Sequence, residues 1–291
     1  MSSLVFSGHD TFHCRQFWLK KAYDYVEHKK SFTDPEASLD LGVGKNMVTA
    51  IRFWARAYQI LNEDGKPNEI AQKVFSDNGW DPFLEDHGTL WLLHYMLVTG
   101  SKASTFSIIF NELIKERQEF TAEHFIALIN RKDGDYNQNT LKKDFTVFYR
   151  TYYADFKASD IEESFTGILT EINLLKKKNR AFIDSDGKSK NREIWFMERG
   201  QRNEIPLHIL LYAVLAKHAG EKSIGFDQLY NGENEIGSVF ALSKEGLSVV
   251  LERFAEELEF GITFSNEAGI RELQFKKNLN PLKVLEAYYE N

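Results

Sequence analysis

The sequence predicts a mainly α protein with small β-hairpin wings, arranged as tandem helix-turn-helix or winged-helix-like units. Apolar residues recur at spacings of three and four over long stretches, and only 5 prolines occur in 291 residues. That period belongs to helices that bury one face. Two regions read differently. REIWFME (192–198), and the pair LEFGITF (258–264) and IRELQF (270–275), are rich in β-branched and aromatic residues and lie beside polar turns, which is the pattern of hairpins. No solenoid-type repeat or low-complexity stretch interrupts the chain. Three units follow from this reading: 1–78, an N-terminal helix with a helix-turn-helix; 79–200, a second helical unit with a basic hairpin; and 201–291, a winged-helix-like unit.

Composition sets outer limits. With 43% apolar and 14% aromatic residues, the chain can bury a core and is not disordered. No apolar run reaches the ~18–20 residues that span a bilayer, and the start, MSSLVFSGHD, has no secretory pattern. The expectation is a cytoplasmic protein without membrane contact. Cys14 is the only cysteine, which excludes a disulfide within the chain and a cysteine-rich zinc site. The 36 basic and 43 acidic residues leave a net charge of −7, so any contact with nucleic acid must run through a local basic patch.

In the first unit, ASLDLGVGKNMVTAIRFWARAY (37–58) is the most informative stretch. Ala37, Ser38 and Leu41 close a short helix, Gly42 supplies a turn that tolerates positive φ, and Val43 plugs the corner. Val48 and Ile51 then pack a second helix onto the first. These offsets are those of a DNA-binding helix-turn-helix. On that second helix Lys45, Thr49, Arg52 and Arg56 are spaced by four, three and four, and so share one side with Asn46 adjoining; Val48, Ile51, Ala55 and Tyr58 take the other. Arg and Asn suit paired hydrogen bonds to base edges, and Lys and Thr suit phosphates. No acidic residue falls between 44 and 60. A solvated amphipathic helix accounts for the same pattern. Residues 61–74, with Asp64-Gly65, form either a wing or a short connector.

The second unit contains an apolar helix at 90–98 and a helix pair over 121–153. Thr121 caps the first of the pair, which buries Phe125, Leu128 and Ile129. After the polar NRKDGDYNQN, the next helix buries Leu141, Phe145, Phe148 and Tyr152. It displays Lys142, Lys143 and Arg150, of which Lys142 and Lys143 are candidate DNA contacts. A further helix is expected to end in LLKKKNRAF (174–182), ahead of a turn at Asp184, Ser185, Asp186 and Gly187. Lys176, Lys177, Lys178, Arg180, Lys188, Lys190 and Arg192 flank that turn, either as a phosphate-tracking loop or as solvated charge. In the third unit a helix from near Ser243 packs Leu247, Val250, Leu251 and Phe254. It carries Glu245, Glu252, Glu256 and Glu257 against Lys244 and Arg253, a surface suited to structure or protein contact.

Walker loops, nucleophile elbows, His-Glu-x-x-His pairs and dinucleotide fingerprints are absent; GVGK at 42–45 lacks the strand and spacing of a phosphate loop. Two polar clusters remain. In SGHDTFHCRQFW (7–18), His9 and His13 share a face if the segment is helical, with Asp10, Cys14 and Arg15 nearby. Such groups can move protons, contact a phosphate or bind a divalent metal, or serve as a cap and core contacts. In WDPFLEDHGTLW (80–91), Asp81, Glu85 and Asp86 stand beside His87. Convergent carboxylates hold Mg2+ or Mn2+ in nucleases, and acidic residues before a helix also act as caps.

Taken in order, GHDTFHCRQFWLKKAYDYV, LGVGKNMVTAIRFWARAY and DPFLEDHGTLWLLHY, with LKKDFTVFYRTYY and SVFALSKEGL, resemble the SspB family of Ssp-type DNA phosphorothioation systems in bacterial defence islands. The resemblance implies a component of antiviral defence that binds double-stranded DNA and nicks one strand so that sulfur can enter the backbone. Its partners would be a cysteine desulfurase, an ATPase and an ATP-pyrophosphatase-type enzyme. His9, Asp10, His13, Arg15, Lys45, Asn46 and Arg52 fall in the signature segments. Asp10 stands where many relatives carry Glu, and His87 where proline is expected. Two other readings compete: a non-catalytic helix-turn-helix transcriptional regulator, and a scaffold that recruits partner enzymes through the acidic C-terminal unit.

Overall fold

The computed structural model describes residues 4–132, 136–154, 166–183, 189–267 and 269–290. They divide into two compact units, Met1–Asp86 with Gly100–Met197 and His87–Thr99 with Glu198–Asn291. The helix at 87–99 therefore groups with the C-terminal residues and not with the middle of the chain.

The first unit opens with α1 (Trp18–Glu27), α2 (Ala37–Leu41), α3 (Lys45–Ala57) and α4 (Glu69–Phe75). A tight turn closed by antiparallel pairing of Leu61 with Pro67 leads into α4. Asn68 starts α4 by accepting the Ala71 N–H at 2.7 Å, satisfying one of the orphan donors of a helix start. α5 (His87–Thr99) belongs to the second unit. The first resumes with α6 (Ser104–Ile108), which runs through a π-helical stretch, Ile109–Leu113, into α7 (Ile114–Glu116). After β1 (Glu119–Phe120) come α8 (Ala122–Lys132) and α9 (Gln138–Tyr152). Asn137 caps α9 by accepting the Asn139 N–H at 2.8 Å. The core is aromatic: Phe106 meets Phe148 edge-on at 5.5 Å between centroids, and Phe148 lies 5.4 Å from Tyr152. Such pairs add about 0.5–1.5 kcal/mol each beyond burial.

β2 (Lys176–Ile183) and β3 (Ser189–Phe196) complete a sheet of order β1-β3-β2, antiparallel throughout. The stretch expected to end a helix at 182 is thus a strand, preceded among the described residues from 166 on by a 3-10 turn, Thr170–Ile172. Physically, a helix there would leave Lys176, Lys177 and Lys178 pointing three ways with little to bury. The strand instead lays Lys177 over Trp195, 5.7 Å from its ring centroid, while Trp195 stacks on Tyr149 of α9 at 4.3 Å. The turn residues Asp184, Ser185, Asp186, Gly187 and Lys188, and the side chain of Lys190, lie outside the described residues.

In the second unit, α5 is buried from Gly88 to Val98 and, like α10 (Leu207–Lys217), is apolar on nearly every side. β4 (Ser223–Gly225), α11 (Phe226–Asn231), α12 (Ile236–Val239), α13 (Lys244–Glu257), β5 (Ile262–Glu267), β6 (Ile270–Phe275) and α14 (Pro281–Tyr289) follow. The sheet order is β4-β6-β5. α13 followed by the β5–β6 hairpin matches the sequence expectation, and Ser243 caps α13 by accepting the Gly246 N–H at 3.0 Å. His94 of α5 is fully buried and donates from Nε2 to the Val239 carbonyl at 2.8 Å. Desolvation drives its pKa down to about 3, so the ring is neutral. Among the described residues no helix is long and apolar enough to cross a membrane.

Candidate nucleic-acid interface

The turn between α2 and α3 forms as its residues dictate. Gly42 adopts φ 65°, a left-handed conformation open to glycine at low cost. Its N–H donates to the Leu39 carbonyl at 3.2 Å, and the Val43 N–H donates to the Ser38 carbonyl at 3.1 Å. Those two bonds, five-to-two and six-to-one, are the Schellman termination of a helix. Its hydrophobic partner contact is present too: Val43 packs on a cluster of Tyr25, Ala37, Leu41 and Val48. α1, α2 and α3 are thereby locked at one corner, with Gly44 extended at the start of α3.

α3 is buried on more than one side. Val48, Ile51, Ala55 and Tyr58 face inward as expected, and Ala50, Trp54 and Ala57 are buried as well. What remains outside is the predicted basic sector. Lys45, Asn46 and Thr49 are exposed, while Arg52 and Arg56 are half-buried. The Thr49 hydroxyl donates to the Lys45 carbonyl at 3.4 Å, and Arg56 Nη2 donates to the Glu63 carbonyl at 3.3 Å. Arg56 therefore anchors the turn between Leu61 and Pro67 to α3, leaving Lys45, Asn46, Thr49 and Arg52 as the accessible tract. Asp40, on α2 nearby in sequence, is paired with Lys30 at 2.9 Å. On α9, Lys142 and Lys143 are exposed.

The N-terminal motif covers the second buried side of α3, in a shape the four-residue spacing of its histidines did not foretell. Residues 7–17 are not helical. Ser7, Gly8, Asp10 and Thr11 all have positive φ (60°, 99°, 45° and 66°), so the chain turns tightly and His9 and His13 share no helix face. Gly8 is required: a Cβ there would lie 2.9 Å from the Phe53 ring of α3. His9 is buried, stacks 5.8 Å from Trp54 and places Nε2 3.3 Å from Asp144 Oδ1 on α9. Its Nδ1 accepts the Thr11 N–H at 3.2 Å, so the ring proton sits on Nε2 and points at the carboxylate. Asp144 also takes the Ser7 N–H at 3.1 Å and the Thr105 hydroxyl at 3.4 Å. The Trp54 indole N–H donates to the Phe12 carbonyl at 2.9 Å. His13 is buried, Asp10 is exposed, and Arg15 lies over Trp18 at 5.3 Å. The motif thus braces α3 against α9. Asp144, missed in the sequence, had one signal: an acid at an inward position between Leu141 and Phe148.

The acidic cluster is also a brace. Asp81 is buried, and its two oxygens accept the Glu85 N–H at 2.8 Å and the Asp86 N–H at 3.0 Å. Glu85 is exposed and Asp86 half-buried. Asp81 thus takes the structural one of the two roles that the sequence left open for this cluster. Among the described residues no group of three or more His, Cys, Asp or Glu side chains is arranged to hold a metal ion. Asp81, Glu85 and Asp86 thus do not form a preassembled divalent-metal centre.

The fold as a whole is similar to two solved structures. One is a magnesium ion-bound SspB crystal structure, with a TM-score of 0.81 and 26% identity over 99% of this chain and 88% of that one. The other is an SspB crystal structure, with a TM-score of 0.80, the same identity and the same coverage. No curated protein matches the chain. From residue 6 to residue 289 the sequence matches the model of a family described only as proteins of unknown function, DUF4007, and the chain belongs to that family.

Proposed function

We propose that this protein is the DNA-binding component of a bacterial phage-defence system of the phosphorothioation type, and that α3 is its duplex-reading element. The observation that carries the reading is the outward sector of α3. It presents Lys45, Asn46, Thr49 and Arg52 with no acid from 44 to 60, on a chain of net charge −7. The corner of α2, Gly42 and α3 has helix-turn-helix offsets, which suit a helix that enters the major groove. Likeness to SspB along 99% of the chain supports the system assignment. Nicking of one strand with Mg2+ or Mn2+ extends the proposal, as do partnerships with a cysteine desulfurase, an ATPase and an ATP-pyrophosphatase-type enzyme.

Labelled duplexes of unrelated sequence test the binding claim. Affinity should fall steeply with salt, as counterion release requires, and vary little with sequence. Supercoiled plasmid incubated with Mg2+ or Mn2+ tests the extension: conversion to open circles supports nicking, and persistent supercoils across both metals and a range of salt remove it. A regulator without catalysis is favoured by the same α2–α3 corner. It predicts protection of one palindromic operator, with half-sites about one helical turn apart if the protein is dimeric.

A further inference from the structure

β2 and β3 pair so that Arg180 stands directly opposite Arg192. Directly opposed side chains lie on the same face with Cβ atoms about 5 Å apart, where like charges repel. On β1, in the same sheet, Glu119 takes Arg180 Nη2 at 3.0 Å on one oxygen and Lys178 Nζ at 3.5 Å on the other. Arg192 instead lies over the Phe182 ring, with Cζ 4.7 Å from the centroid. Between these groups and the start of α8 is a cavity of about 310 Å³ lined by Glu119, Thr121, His124, Arg180, Phe182 and Arg192. At the small end of ligand clefts, which run roughly 300–1,000 Å³, it has room for a phosphate with its attached sugar.

The start of α8 fixes the remaining donor. Thr121 gives its N–H to His124 Nδ1 at 3.3 Å and its hydroxyl to Glu123 Oε2 at 2.6 Å, a capping arrangement in which histidine takes the usual place of glutamate. With Nδ1 accepting, the ring proton sits on Nε2. Burial, then the nearby positive charge of Arg117, lowers the His124 pKa, which favours a neutral donor over a cation. Both carboxylates near the cavity are already hydrogen-bonded within the protein, Glu119 to Arg180 itself and Glu123 to Thr121, and the guanidiniums of Arg180 and Arg192 both line it.

We propose that this cavity is an oxyanion pocket that takes one phosphate group, gripped between Arg180 and Arg192 with His124 donating from Nε2. Planar guanidiniums are the side chains best matched to phosphate oxygens. The inference rests on the nucleic-acid reading above only for what carries the phosphate.

The test is thermal unfolding of the full chain at constant ionic strength with three probes: inorganic phosphate, a 5′-phosphorylated dinucleotide, and the same dinucleotide with a 5′-hydroxyl. All phosphate-bearing probes that fit should raise the midpoint, and the Arg180→Gln/Arg192→Gln variant should bind inorganic phosphate at least ~10-fold more weakly, the loss expected from charge-assisted bonds. Equal action of both dinucleotides identifies an internal phosphodiester as the natural ligand; action of the phosphorylated one alone identifies a strand end or a free ester. Arg192→Gln relieves the cross-strand repulsion but gives up the contact with Phe182, so its ligand-free midpoint should change little. The absence of any phosphate effect in the unaltered protein overturns the proposal, as does its full retention in the double variant. Absence of duplex binding by the unaltered protein, with its phosphate effect intact, would count against the α3 reading alone.

Discussion

At the scale of single residues, buried polar groups decide how the candidate interface is held. Asp144 accepts from Ser7, His9 and Thr105 and offers nothing in return. Asn in its place would turn an amide NH2 toward one of these donors whichever way it is oriented. Asp144→Asn should therefore cost about 1–3 kcal/mol, read as a lower urea midpoint. His94 sets a pH dependence. Folded, it stays neutral down to about pH 3; unfolded, it takes a proton near ~6.5. The unfolded chain thus binds the extra proton between those values, and stability falls as pH drops through that window, by up to about 1.4 kcal/mol per unit. Above ~6.5 this group has no effect. His94→Gln, which cannot ionise, should show a shallower loss of stability between pH 6.5 and 4.5 in denaturant titrations.

At the scale of elements, the α2–α3 corner rests on one conformation. A Cβ at Gly42 would meet nothing within 4 Å, so the cost of Gly42→Ala is the left-handed backbone alone, about 1–2 kcal/mol. Calorimetry should show that loss for Ala and a smaller one for Asn. This corner was legible because Gly42, Val43, Val48 and Ile51 each carry a local demand that the packing also satisfies. The N-terminal motif was not: three of its four positive-φ residues are Ser7, Asp10 and Thr11, which do not announce a turn as glycine does, and the His9–His13 spacing imitates a helix. β2 was hidden because alternation cannot be seen where its first five residues, Lys176 to Arg180, are all polar. β1 and β4, with two and three residues, are too short to show any period. For the candidate site, the outward residues of α3 were readable from spacing. The partner of His9 was not, because Asp144 lies 135 positions away and only the fold joins them.

At the scale of the whole molecule, the sequence is cut in space where it is continuous in the chain. α5 is buried and apolar, and it packs on α10 and α12 of the second unit. Deleting residues 201–291 strips those partners away. The prediction is aggregation, seen as loss of the monodisperse peak in size-exclusion chromatography, and recovery when residues 87–99 are replaced by a polar linker. An anionic chain that binds DNA must concentrate its attraction, and α3 is where the described surface does so without an opposing acid on the same helix. The most direct measurement is the duplex affinity of Lys45→Glu combined with Arg52→Glu at ~0.1 M salt, where exposed charges are felt over about 10 Å. The account predicts binding at least ~10-fold weaker, a salt slope reduced by about 2, and an unchanged thermal midpoint. Unaltered affinity in a folded double variant would contradict it.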